Sequence, residues 1–263
     1  MIRVAISGGG NMGATVLAAV EAQPDMTPVG VIEPHGDAEA EHATASGARY
    51  PQRADPARLF AEMRPDVVVD FTNAQFTPRL VEAALAAGVR PVIGTSGVAT
   101  EVVEALRRGC AERKLGAVLA PNFALGAVVL MHLAQIAARY FDAAEVIELH
   151  HDRKVDAPSG TAIETARLMR AARGSDFAHP DPDLTPVAGT RGGVLGGVGI
   201  HSVRLPGLVA HQEVLFGGPG QTLSLRHDSI GRDSFMPGVL LAVREVMQRE
   251  ELVLGLDHLI GLT

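Results

Sequence analysis

Ile2-Arg3-Val4-Ala5-Ile6-Ser7-Gly8-Gly9-Gly10-Asn11-Met12-Gly13 opens the chain, and its reading decides the fold. Ile2 to Ile6 is a short apolar, β-branched run that reads as a strand, and Met12 to Ala22 reads as a helix. Between them G-x-G-x-x-G is in place at Gly8, Gly10 and Gly13. A glycine turn alone says little, but one that follows a strand and opens a helix has the context of a dinucleotide fingerprint. Gly8 permits the tight turn, Gly10 lets backbone approach a pyrophosphate, and Gly13 allows close packing of helix on strand. The helix start offers N–H donors to phosphate, so Gly9, Asn11 and Met12 join the three glycines as candidate contacts. Glu33 follows the next strand, Pro28 to Ile32, where an acidic side chain accepts from the adenosine ribose hydroxyls. Pro34 and His35 come next, with no Arg or Lys, and Asn11 is neutral. A 2′-phosphate would meet Glu33 without a cation, which favours NADH while leaving NADPH possible.

Outward from that unit the pattern repeats. Asp66 to Asp70, Arg90 to Ile93 and Ala117 to Ala120 read as strands, and Thr77 to Ala87 and Thr100 to Lys114 as helices. Strands apolar on both faces, spaced by helices, predict an α/β fold: a Rossmann-type, doubly wound parallel sheet over residues 1–122. Ligand in such sheets lies at the carboxyl ends of the strands. Asp70-Phe71-Thr72 and Gly94-Thr95-Ser96-Gly97 sit there, which makes Phe71, Thr72, Gly94, Thr95 and Ser96 candidates to approach the nicotinamide ribose and carboxamide. Ala120-Pro121-Asn122-Phe123 lies at the junction of the two halves, with Asn122 able to bond the carboxamide.

The pattern then changes. After a long helix, Gly126 to Tyr140, the strands Ala144 to His151, Ile200 to Leu205, His211 to Gly217 and Gln221 to His227 surround one helix, Ser159 to Ala172. Gly174 to Gly199 reads as a long loop, functional or mobile by its length. Residues 123–232 therefore form a second, mixed α+β domain for substrate and oligomer contacts. A final helix, Ser234 to Gln248, is apolar enough for 233–263 to pack back on the first domain.

His150-His151-Asp152-Arg153-Lys154 gathers protonatable and cationic groups in a chain whose net charge is −7. If the strand conformation persists, His150, Asp152 and Lys154 share one face and His151 and Arg153 the other. Asp156-Ala157-Pro158 then turns into a helix beginning at Ser159-Gly160-Thr161, whose exposed N–H groups and hydroxyls make an anion site. Together these suit a carboxylate substrate with an acid/base histidine and lysine. Zinc is the competing use of paired histidines, but neighbours on a strand face apart and no third ligand is suitably spaced, so no metal is expected.

Composition narrows the partners. Aromatic residues are 4% of the chain and Trp is absent, which with the negative charge argues against nucleic acid. The single cysteine, Cys110, allows neither an internal disulfide nor a multi-cysteine zinc site, and lies outside the second domain, where a thiol nucleophile would be needed. The most apolar stretch, Phe123 to Ala138, is broken by His132 and Gln135 and is too short to span a bilayer. With no signal pattern at the N-terminus, a soluble cytoplasmic protein is expected.

Glu148-Leu149-His150-His151-Asp152-Arg153-Lys154-Val155-Asp156-Ala157-Pro158-Ser159-Gly160-Thr161-Ala162 resembles the signature E-x-H-H-x-x-K-x-D-A-P-S-G-T-A of the 4-hydroxy-tetrahydrodipicolinate reductases. This family, also called dihydrodipicolinate reductases, serves bacterial lysine and diaminopimelate synthesis. Asp70-Phe71-Thr72, Gly94-Thr95-Ser96-Gly97 and Ala120-Pro121-Asn122-Phe123 are similar to its nicotinamide-contacting loops, in the same order. The resemblance covers nearly the whole chain. It implies His150 as proton donor and acceptor, Lys154 as a proton donor, and contacts from His151, Ser159, Gly160 and Thr161 to a small dicarboxylate substrate. Arg232 resembles a basic residue near a substrate carboxylate. The resemblance further implies hydride transfer to ring C4, protonation of the resulting enamine, and a homotetramer assembled through the second domain's sheet. The chain departs from the family where G-x-x-G-x-x-G is usual: either Ser7 holds the first glycine's place or the loop is one residue shorter. Asn11 also stands where the family often has Arg or Lys.

Overall fold

Val4-Ala5-Ile6 and Val67-Val68-Val69 are fully buried or nearly so, and strands apolar on both faces need cover on both. The computed structural model describes residues 1–36 and 40–262 and supplies that cover in a Rossmann-like sheet. In chain order its elements are β1 (Ile2–Ser7), α1 (Asn11–Glu21), β2 (Met26–Ile32), β3 (Ala40–Ala43), β4 (Arg49–Arg53), α2 (Pro56–Met63), β5 (Val67–Asp70), α3 (Thr77–Ala87), β6 (Arg90–Ile93), α4 (Thr100–Arg113) and β7 (Ala117–Leu119). Then follow α5 (Leu125–Ala137), β8 (Ala143–His150), α6 (Gly160–Arg173), β9 (Gly193–Leu195), β10 (Val198–Arg204), β11 (Ala210–Gly218), β12 (Gln221–Ser229), α7 (Met236–Glu245) and β13 (Leu252–Leu254). The first sheet runs β13-β7-β6-β5-β1-β2-β4-β3, with β3 antiparallel to β4 and its other pairings parallel. Its order reverses beside β1, which puts the turn after β1 at the switch point where α/β sheets take ligand.

The chain divides into two compact units, Met1–Leu125 with Phe235–Thr263, and Gly126–Ser234. Thr263 itself lies outside the described residues. In the first unit α7 packs beside α1, and Arg244 pairs with Asp25 at 2.7 Å. β13 extends the sheet next to β7. The single final helix expected over Ser234 to Gln248 is instead a 3-10 turn (Arg232–Phe235), α7, and a second 3-10 turn (Val246–Gln248). Pro237 lies in the first turn of α7, where its fixed φ and missing N–H are tolerated. β3, β4 and α2 are additional to the sequence reading; the half-exposed, charged Ala40–Ala43 and Arg49–Arg53 carry no apolar run.

In the second unit the sheet runs β12-β11-β8-β10-β9. β8 and β10 are parallel and joined through α6, whereas β11, β12 and β9 are antiparallel additions. Ala144, Val146, Val214 and Phe216 from the sheet pack with Leu130 and Ala134 of α5 and Ala162, Ala166 and Met169 of α6. The opposite face carries Glu145, Ile147 and Leu149, all partly exposed. The segment expected as one loop over Gly174 to Gly199 contains β9 and the start of β10. Leu195 pairs with Val198 across Gly196-Gly197, whose φ values of 59° and 79° form a two-residue hairpin turn open to glycine. Among the described residues no helix is long and apolar enough to cross a membrane.

Met169 is fully buried between α6 and the sheet. Met169→Ala is expected to cost about 2–5 kcal/mol of stability, measured as a lowered midpoint in denaturant unfolding. An unchanged midpoint would show that α6 is not seated by this core.

Candidate active site

In the first unit, β1 ends with Ser7, whose carbonyl accepts from Phe71 N at 3.2 Å, and the turn begins at Gly8. Gly8 has φ 101°, a backbone state that side chains disfavour. A Cβ on Gly13 would lie 1.7 Å from the Gly8 carbonyl oxygen, so α1 can cross its own turn only as glycine. Gly10 caps α1, and a Cβ built there meets nothing within 4 Å, leaving open space in front of the helix start. Asn11 is exposed and Met12 half-buried in that first turn. Ser7 is thus the last strand residue, fully buried, and the glycine roles fall on Gly8, Gly10 and Gly13. Glu33 Oε2 accepts from Gly9 N at 2.8 Å, which ties the end of β2 to the glycine turn.

The loop after β5, the start of α3 and the loop after β6 are drawn together by one carboxyl group that carries no signal in the sequence. Asp70 is fully buried and accepts from Thr72 N (3.2 Å), Thr72 Oγ1 (2.7 Å), Thr77 Oγ1 (2.8 Å) and Thr95 Oγ1 (3.0 Å). The hydroxyls of Thr72 and Thr95, expected to face a cofactor, are therefore turned inward. Phe71 packs edge-on to Phe123 at 5.7 Å, and a Cβ on Gly94 would strike the Phe71 ring at 2.1 Å. Phe123 and Ala120 are buried, Ser96 and Pro121 exposed. Asn122 Oδ1 accepts from Ala124 N at 2.9 Å, and its amide N–H groups have no acceptor among the described residues.

The second unit assembles the other cluster. β8 ends at His150, and Lys154 N donates to His151 O at 3.2 Å. The extended conformation stops there, so the two-face alternation considered for His150 to Lys154 does not hold. A turn forms instead. Lys154 Nζ pairs with Asp156 at 2.7 Å and holds that carboxyl below the usual carboxylate range. Ser159 caps α6 by accepting from Ala162 N at 3.2 Å, while the N–H groups of Gly160 and Thr161 have no acceptor among the described residues. His151 Nδ1 is buried without a hydrogen-bond partner among the described residues.

Glu148, which carries no signal in the sequence beyond its place in the motif, joins these parts. It is fully buried; Oε2 accepts from His150 Nδ1 at 2.5 Å and Oε1 from Ser159 N at 3.2 Å. Arg204 donates to both oxygens, Nη1 at 2.8 Å and Nη2 at 2.7 Å, and Nη2 also reaches Asp156 O at 2.6 Å. Burial pushes the Glu148 carboxyl up, but Arg204, Ser202 and His150 outweigh it and hold the group below its ordinary range. His150 goes down from its usual value: burial is the largest cause, Lys154 and Arg204 add to it, and Glu148 opposes. Arg232 is exposed in its 3-10 turn, with no hydrogen bond or ion pair to this cluster among the described residues.

Cys110 lies inside α4, fully buried, and burial pushes its thiol up to about 11. No group of three or more His, Cys, Asp or Glu among the described residues could hold a metal ion.

A Rossmann-like unit with an open glycine turn and a second unit with a carboxylate-bonded histidine beside a helix start define an oxidoreductase of two-domain type. Residues 2–123 match the family described as dihydrodipicolinate reductase, N-terminus, and residues 126–260 its C-terminus counterpart. The 4-hydroxy-tetrahydrodipicolinate reductase of Geobacillus kaustophilus (strain HTA426) is 49% identical over 263 residues, covering 98% of this chain and 99% of its own. That of Shouchella clausii (strain KSM-K16) is 46% identical, covering 99% and 100%. A dipicolinate-bound dihydrodipicolinate reductase from Paenisporosarcina sp. TG-14 superposes with a TM-score of 0.87 at 41% identity, over 98% of this chain and 99% of that one. The chain belongs to the dihydrodipicolinate reductase family, NAD(P)H-dependent reductases.

Gly94→Val would drive a side chain into the Phe71 ring and is expected to raise the KM for NADH about tenfold or more, at unchanged circular dichroism. An unaltered KM would remove the Phe71 loop from the cofactor site. Iodoacetamide at pH 8 is expected to leave activity intact, because Cys110 is both buried and protonated there. Inactivation in step with Cys110 labelling would overturn that.

Proposed function

We propose that this chain reduces 4-hydroxy-tetrahydrodipicolinate to tetrahydrodipicolinate, the reaction for which its relatives are named, in lysine and diaminopimelate biosynthesis. The observation that carries this reading is that Glu148 joins His150 to the start of α6, where the N–H groups of Gly160 and Thr161 are uncommitted. A dicarboxylate ring needs such donors, and the dipicolinate bound to the Paenisporosarcina relative is a molecule of that class. Residues 1–122 with 233–263 are the nucleotide part in this proposal, and 123–232 the substrate part.

The residues present fit a dinucleotide. The open space before Gly10, the φ of Gly8 and the free helix start form a cradle for phosphate, with Gly9, Asn11, Met12 and Gly13 around it. Glu33, with no cation beside it in sequence, supports NADH over NADPH. Phe71, Thr72, Gly94, Thr95, Ser96, Ala120, Pro121, Asn122 and Phe123 would shape the nicotinamide end, the threonines through their backbone. When bound, the nicotinamide would supply the hydride that is added to ring C4 once the 4-hydroxyl has left as water and given a conjugated imine.

The chain's own residues do the rest. Gly160 and Thr161 N–H groups, Ser159, His151 and Arg232 hold carboxylate and draw electron density from the ring. Lys154, paired with Asp156 at 2.7 Å, supplies positive charge and a proton at that side. His150 Nε2 delivers a proton to the enamine left by hydride addition. A homotetramer closed through the open face of the second sheet, and a cytoplasmic location, complete the proposal.

The test is NADH oxidation with freshly condensed aspartate semialdehyde and pyruvate. Turnover is expected, with kcat/KM for NADH above that for NADPH; a folded, NADH-binding protein without turnover would refute the substrate assignment. His150→Gln and Lys154→Ala are each expected to lower kcat by roughly 10²–10⁴. Light scattering should return a tetrameric mass, and a monomer would refute the assembly.

A further inference from the structure

Glu148 is a buried carboxylate that meets both halves of the cluster, and its surroundings fix more than the position of His150. An ionised carboxylate can only accept hydrogen bonds. The 2.5 Å contact from His150 Nδ1 therefore requires the proton to sit on Nδ1, which leaves Nε2 as the nitrogen that gains and gives protons. The carboxylate's second oxygen accepts from Ser159 N, the residue that caps α6. Ring orientation and helix start thus share one anchor. Arg204 stands across the sheet from His150 in register and covers both carboxylate oxygens.

We propose that Glu148 and Arg204 are positioning residues that act in opposite senses on His150: Glu148 selects the tautomer and favours the charged ring, and Arg204 takes up the carboxylate's charge so that the ring stays neutral until substrate is in place. The proposal rests on the reading of His150 as the proton donor. Every charged or titratable group around the ring bears on it. Glu148 comes from β8 itself and Arg204 from β10, while Lys154, Asp156 and His151 come from the turn after β8. α6 presents its uncharged N-terminus. β11 sets Ala210 opposite His150, with His211 next to it occupied by Asp228 at 2.6 Å and Gln212 neutral. Among these, Arg204 alone carries charge directly against the Glu148 oxygens besides His150. A buried carboxylate shared between an arginine and a histidine gives less of its field to either than it would give to one. Arg204 also bonds Asp156 O, so the same guanidinium carries the turn that holds Lys154. One side chain sets the charge on His150 and the place of Lys154.

Removing each charge should move His150 in opposite directions, which a merely structural pair would not do. Histidine-specific ¹⁵N NMR, with the signal assigned by its loss in H150Q, reads tautomer and titration without reference to turnover. In the native protein the neutral ring is expected to be protonated on Nδ1. R204M should raise the His150 midpoint by about 1–3 units, E148Q should lower it by a similar amount, and R204K should leave it at the native value. The pH profile of kcat/KM should follow: activity falls as pH rises through that midpoint, later in R204M and earlier in E148Q. NADH binding reports that each variant is folded; if R204M fails it, the downward shift in E148Q with none in R204K still decides. Shifts of the same sign in both charge-removing variants, or a neutral ring protonated on Nε2, would overturn the proposal. Full turnover by H150Q, with the NMR shifts as expected, would overturn the role of His150 while leaving the positioning intact.

Discussion

A carboxylate taken out of water costs several kcal/mol unless donors replace the lost hydration, and Glu148 is enclosed completely. The second unit is arranged around meeting that demand. Arg204 reaches across from β10, the backbone of Ser159 turns in from α6, and the ring of His150 bends over the strand end. None of these could be moved far without leaving charge bare. Because the sheet partner, the helix cap and the histidine all satisfy the same group, the geometry of the site is held by a solvation requirement rather than by shape alone.

The first unit meets a related demand by other means. Among the described residues no cation pairs with Asp70; three threonine hydroxyls and one backbone N–H satisfy it instead. The hydroxyls come from the loop after β5, the start of α3 and the loop after β6, so a single carboxyl group gathers the carboxyl ends of neighbouring strands. The donors to Asp70 are neutral, whereas Glu148 takes a guanidinium from Arg204. Both carboxyl groups sit at strand ends, where parallel strands leave room for ligand.

Much of this was legible in the chain. The glycine turn could be read because two of its glycines meet a local steric demand, φ at Gly8 and a crossing backbone at Gly13, while Gly10 faces open space. The Ser159 cap could be read for the same reason, since capping is a matter of a few neighbouring residues. The Gly196-Gly197 hairpin carried a legible signal too, two glycines between short apolar runs, that was absorbed into a loop. Thr72, Thr95 and Asn122 were read as facing ligand, yet the first two turn inward and the third spends its carbonyl on a helix start, because the partner of each is settled by folding.

The amino-acid sequence by itself determined the main elements and the chemistry on offer: the parallel sheet from uninterrupted apolar strands, the glycine turn, the capped helix, and the histidines and lysine before it. Local sterics and periodicity act within a few residues, so they can be read in order along the chain. Only the tertiary structure decided which groups work together. Arg204 lies fifty-six residues from Glu148, and Thr95 twenty-five from Asp70. Such pairings follow from strand order and register, which bring distant residues to one point. A buried charge then selects its partners from whatever has arrived there.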